Sequence, residues 1–144
     1  MDLIENLSND HRRCFNQVIL PLKQWCQQPE IRDRIIIPET FPDLLLQIKE
    51  QIIGSLFWKE EVLLFPELEK LGVSVEHGPI GMLLQEHGTI REQVQNLEIF
   101  FDKAKKGQVV FLDLLLYQTC QWIQSMEYHS EKEEAVLSIY TSLC

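Results

Sequence analysis

The sequence predicts an all-α protein, a single antiparallel four-helix bundle of up-down-up-down topology, and three observations carry that expectation. Apolar residues recur at three- and four-residue spacing through four long stretches. Glycine and proline are scarce, six of each, and Pro29, Pro38, Gly72 and Gly107 fall between the stretches. The connections are mainly short, which makes antiparallel neighbours the economical arrangement. At 144 residues the chain has the length of one domain with its own core.

The first helix is expected over about residues 3–28, with Leu3, Leu7, Cys14, Val18 and Leu22 on its inner stripe. Pro21 lies within it and should kink or shorten it. Pro29, Pro38 and Pro42 bracket a connection containing Ile35-Ile36-Ile37, which reads as a packed loop because a single strand has no partner there. The second helix is expected over about residues 42–71, with Leu45, Ile48, Ile52, Leu56, Leu63 and Leu64 on one face and Gly72 as its stop. The third starts at Pro79, a favourable first-turn residue, and runs to about residue 105 through Ile80, Leu83, Leu84, Ile90, Val94, Leu97 and Phe101. The fourth covers about residues 109–140, through Leu112, Leu115, Thr119, Trp122, Met126, Val136 and Tyr140.

Composition narrows the function classes. A formal charge of −9, with basic residues scattered among acidic ones, argues against nucleic acid, whose phosphates need clustered Lys and Arg. No apolar run reaches the ~18 residues of a membrane span, and Met1-Asp2-Leu3-Ile4-Glu5 lacks the basic start of a signal peptide. Cys14, Cys26, Cys120 and Cys144 show no CxxC spacing, so neither a zinc ribbon nor a thioredoxin-like site is supported. Cys14 and Cys120 sit among apolar residues and read as buried thiols of a cytoplasmic protein.

The informative residues interrupt the apolar stripes. His11 lies four residues after Leu7, Glu60 four after Leu56, His87 four after Leu83, and His129 three after Met126, with Glu133 one turn further. All four helices therefore place an ionisable residue on the face that should be buried. Counted from the shared end of the bundle at about 1.5 Å per residue, His11, Glu60, His87 and Glu133 fall roughly 12–17 Å deep, with His129 one turn deeper than Glu133. An isolated inward histidine is ordinarily a hydrogen-bonded core residue. Five ionisable groups in one slab must instead compensate one another or a bound cation. Two carboxylates with three imidazoles suit iron or manganese better than calcium, which prefers all-oxygen cages. The adjacent Glu61, Glu134, Lys59 and Lys132 read as solvated faces, and His77 as a loop or capping residue.

The run Lys59-Glu60-Glu61-Val62-Leu63-Leu64 is echoed by Lys132-Glu133-Glu134-Ala135-Val136-Leu137, and aligning them sets Leu56 opposite His129. The fourth helix thus has a His-x-x-x-Glu pair, of which the second keeps only the Glu.

With Asp10-His11, Lys59-Glu60-Glu61-Val62-Leu63-Leu64-Phe65-Pro66, the run from His77 to His87 and Tyr128-His129-Ser130-Glu131-Lys132-Glu133-Glu134, the chain resembles the haemerythrin-like, or HHE cation-binding, domain family over nearly its whole length. The resemblance implies a non-haem di-iron centre in a four-helix bundle and a role in binding or sensing O2, NO or iron. His11, His87 and His129 match terminal ligand positions, and Glu60 and Glu133 match the carboxylates that bridge two metals. Leu56 stands where the family has a histidine, which removes one terminal ligand. Leu137-Ser138-Ile139 lacks the Phe-Pro that follows Leu64. Two further readings stay open: an enzyme using the same centre for peroxide or NO reduction or iron-centre repair, and a metal-free bundle serving as a protein-interaction module.

Overall fold

A computed structural model describes the backbone of residues 2–76 and 78–143, with side chains for all of these but Tyr140 and Leu143. His77 and the Tyr140 side chain, both assigned above, lie outside the described residues. Helix α1 joins Leu3–Cys14, a π-helical turn Phe15–Ile19 and Leu20–Gln27. Helix α2 runs from Phe41–Gln47 through π-helical Ile48–Phe57 and Glu60–Leu64 into Phe65–Lys70. Helices α3 (Pro79–Lys105) and α4 (Val110–Leu143) are uninterrupted. Each helix packs on its neighbours in the order α1–α2–α3–α4 and back to α1, the ring of an up-down-up-down bundle.

The helix ends follow local chemistry. The Asp2 carboxylate accepts a hydrogen bond from the Glu5 N–H at 2.9 Å and caps α1. Gly72 and Gly107 end α2 and α3 with φ of 93° and 89°, the left-handed conformation glycine adopts without strain. At the first, Val73 N–H donates to the Leu68 carbonyl and Gly72 N–H to that of Glu69, which satisfies two otherwise free acceptors.

Three expectations need correction. Pro21 does not shorten α1, which continues through it to Gln27 after a π-helical turn that closes two residues before the proline. The same device precedes Pro66, where Glu60–Leu64 is π-helical. A proline ring crowds the carbonyl four residues back, and the wider π turn gives that carbonyl room. The altered register also turns Leu63 outward, 41% exposed, while Leu64, Phe65 and Leu68 stay in the core. Finally, the loop after α1 holds a small hairpin, β1 (Glu30–Ile31) paired antiparallel with β2 (Arg34–Ile35). Its partner strand lies just upstream of the isoleucine triplet. Arg32 and Asp33 turn it at φ of 54° and 64°, the positive values a two-residue hairpin turn requires.

The core is Leu- and Ile-rich along the bundle axis, with Trp122, Phe41 and Phe57 its largest fully buried side chains. Within it, Glu60, His87, His129 and Glu133 are all no more than 1% exposed. They are what the fold positions.

Candidate metal centre

Each of the four helices delivers at least one of the five predicted residues to a single point. Glu60 Oε1 lies 2.9 Å from His87 Nε2 and 3.9 Å from His129 Nε2. Glu133 Oε2 lies 3.1 Å from His129 Nε2. One ligand atom from each of Glu60, His87, His129 and Glu133 falls within 4.8 Å of the others. His11 completes the group from the side of α1, its Nε2 being 3.3 Å from Glu60 Oε2 and 3.1 Å from Glu133 Oε1.

The carboxylates therefore span the site. Glu60 turns one oxygen to His87 and the other to His11, and Glu133 turns one to His129 and the other to His11. The two carboxylates thus lie between a two-histidine side and a one-histidine side. Leu56, 1% exposed and one residue before the fully buried Phe57, fills the core where the internal echo has a histidine.

Both inner rings are fixed by their outer nitrogen. His87 Nδ1 sits 2.6 Å from Glu61 Oε2, which also accepts from Arg91 at 2.7 Å. His129 Nδ1 sits 2.9 Å from Glu86 Oε1, whose other oxygen accepts from Lys132. A carboxylate on Nδ1 holds the proton there and presents Nε2 with its lone pair inward, the usual support for a metal-binding imidazole. Phe57 stacks on His87 at 3.8 Å between centroids, with the Arg91 guanidinium 5.6 Å over its ring. Lys59 donates to Asp10 at 2.7 Å beside His11.

These flanking residues were misread in the sequence. Glu61, Lys59 and Lys132 do not merely face solvent: they close the seams α2–α3, α1–α2 and α3–α4 around the site. Glu134 is exposed, as expected. A residue adjacent to an inward one is rotated about 100° off the apolar stripe, so it points at the next helix. Spacing alone does not say whether it meets water or a neighbour there. The one available signal was their recurrence beside each inward residue.

Protonated imidazoles and carboxylates compensate one another in the pocket. Burial alone would lower the pKa of His11 and His129, yet hydrogen bonds to Glu133 and Glu60 raise both to about 10. Burial disfavours the Glu60 carboxylate, but Glu133 and the three imidazoles hold it well below the ordinary range. Glu133 moves up, through burial and the Glu60 charge beside it. Protons thus occupy the place of positive charge in this pocket. Glu133 Oε2 is left without a well-aligned hydrogen bond despite its nearness to His129. A buried acceptor with no donor is what a cation would satisfy.

The family model described as Hemerythrin HHE cation binding domain matches residues 2–138. The chain belongs to this haemerythrin HHE family. No curated protein and no solved structure matches it. For a haemerythrin-type bundle the buried carboxylate and imidazole donors fit a metal cofactor. They combine oxygen and nitrogen ligands, oriented rings and an unsatisfied inward oxygen.

Proposed function

We propose that this haemerythrin-like protein binds non-haem iron through His11, Glu60, His87, His129 and Glu133, and uses it to bind or sense O2 or NO. The observation that carries the reading is the two-sided placement of Glu60 and Glu133, each with one oxygen toward His11 and one toward His87 or His129. Manganese is the alternative ion, since mixed imidazole and carboxylate donors suit either. Reduced iron with an open coordination position supplies reversible binding of O2 or NO. The protein's own part is to hold the imidazoles by Glu61 and Glu86, to exclude bulk water with Phe57, Phe65 and Leu56, and to balance the cation with two carboxylates. With three protein imidazoles, the His11 side is the more open of the two. We place the protein in the cytoplasm, where thiols such as those of Cys14, Cys26 and Cys120 stay reduced.

Anaerobic protein loaded with Fe(II) and titrated with NO and then with O2 tests this. A saturable optical change that reverses on removing the gas supports a carrier or sensor. Steady consumption of NO or peroxide would establish the enzyme reading instead. Loaded protein whose spectrum responds to neither gas would contradict the diatomic role.

A further inference from the structure

Three of the bundle's four seams are closed by ion pairs at the level of the centre. The fourth, between α1 and α4, is crossed by Lys23–Glu127 but still holds a cavity of about 460 Å³ whose lining includes His11 and Glu133. Its outer part is lined by Glu131, Glu134 and Glu127 with Arg12, Ser8 and Ser130. Glu127 is paired with Lys23 at 2.9 Å. Glu131 and Glu134, both exposed, form no ion pair among the described residues. At the inner end stands Glu133, 1% exposed, with the Oε2 atom that lacks a hydrogen-bond partner.

We infer that this cavity is the port through which the centre is loaded, and that Glu131 and Glu134 capture a hydrated divalent first-row cation and pass it to Glu133 and His11. The inference rests on the metal-centre reading above and adds the route. Glu131 and Glu134, one turn apart on α4, both line the cavity whose wall also includes Glu133. A negatively lined cleft raises the local concentration of a cation and its association rate by about 10- to 1,000-fold, falling with salt. The Arg12 guanidinium at the mouth offsets one of these charges and leaves the funnel acidic. The other seams offer no comparable path: Lys59–Asp10, Arg91–Glu61 and Lys132–Glu86 lie across them. Ser8, Asn16 and Ser130 set polar groups beside Phe15 and Leu137 in a mixed wall, so the carboxylates are its main attraction for a cation.

The test is stopped-flow mixing of metal-free protein with anaerobic Fe(II), followed by tryptophan fluorescence and by metal analysis of quenched samples. Wild type is compared with Glu131→Gln/Glu134→Gln and with Glu92→Gln, an exposed control on α3. The expected result is a bimolecular uptake rate about tenfold lower in the double variant, with the salt dependence flattened. Final stoichiometry and affinity stay at wild-type values, and the control behaves as wild type. Ser130→Trp, which narrows the mouth without changing charge, slows uptake independently. Unchanged rates in both variants, with normal final loading, would overturn the port and leave the metal centre standing. A loss of equilibrium affinity in step with rate would overturn it too, making Glu131 and Glu134 resting ligands. Wild type that takes up no metal would overturn both readings.

Discussion

The Nε2 atoms of His87 and His129 stand 3.1 Å apart in the core, each on a ring whose Nδ1 is engaged by a carboxylate from the preceding helix. With both Nδ1 atoms held by carboxylates, a contact this short requires a proton on one of the two inner nitrogens or a cation facing both. Several outcomes follow from that competition between protons and metal.

The first concerns pH. His11 and His129 rise from an ordinary 6.5 to about 10 in the metal-free fold. Groups raised in this way stabilise the fold fully below 6.5, and that stabilisation is lost as pH climbs toward 10. Glu133, also raised, adds loss in the same direction above the ordinary carboxylate range. Metal needs neutral imidazoles and ionised carboxylates, so its affinity rises with pH. Calorimetry on loaded and chelated protein should therefore show a gap in melting temperature that widens from pH 6.5 to 9. At a hundredfold excess of metal over Kd the gap is worth about 2.7 kcal/mol, or roughly 5–10 °C for a chain of this size. A gap that narrows with pH would contradict the assignment of protons to the metal's place.

The second concerns the outer carboxylates. Glu61→Gln and Glu86→Gln keep size and leave the helices intact, but they replace an anion by an amide at His87 and His129. Loss of such support lowers metal affinity about 10- to 100-fold. Competition with a chelator measures it, and far-ultraviolet circular dichroism checks the fold. Wild-type affinity in both variants would show that the rings are oriented by packing on Phe57 and Phe65 alone.

Much of this was legible beforehand. All five inward residues betrayed themselves by breaking an apolar stripe, and the structure brings His11, Glu60, His87, His129 and Glu133 together from four helices. The bundle was equally legible, since a period of three to four residues is a property of each helix by itself. What escaped depends on register between helices. Glu61 meets His87, and Lys132 meets Glu86, only because neighbouring helices set those heights level. The π-helical turns before Pro21 and Pro66 escaped for a related reason. A proline within a helix signals stress, and whether the chain breaks or widens depends on the packing around it.

A third outcome concerns Leu56, one turn before Glu60 and buried at 1%. Leu56→His should add an imidazole on the His11 side and raise metal content toward two ions per chain. Without metal the same change buries a polar group lacking a partner, so the chelated variant should melt lower than wild type. Elemental analysis and calorimetry of the same preparation read both effects. Wild type already holding two tight ions, with no gain in the variant, would show that Leu56 is no defect.

The central claim is that the core cluster is a metal centre, and metal content tests it most directly. Protein from iron-replete cells, purified without chelator, should carry at least one iron or manganese ion per chain by elemental analysis. His87→Ala/His129→Ala, with helical content verified, should carry almost none, because the two imidazoles that share the inner carboxylates are gone. A wild-type metal content no higher than that of the double variant would contradict the account.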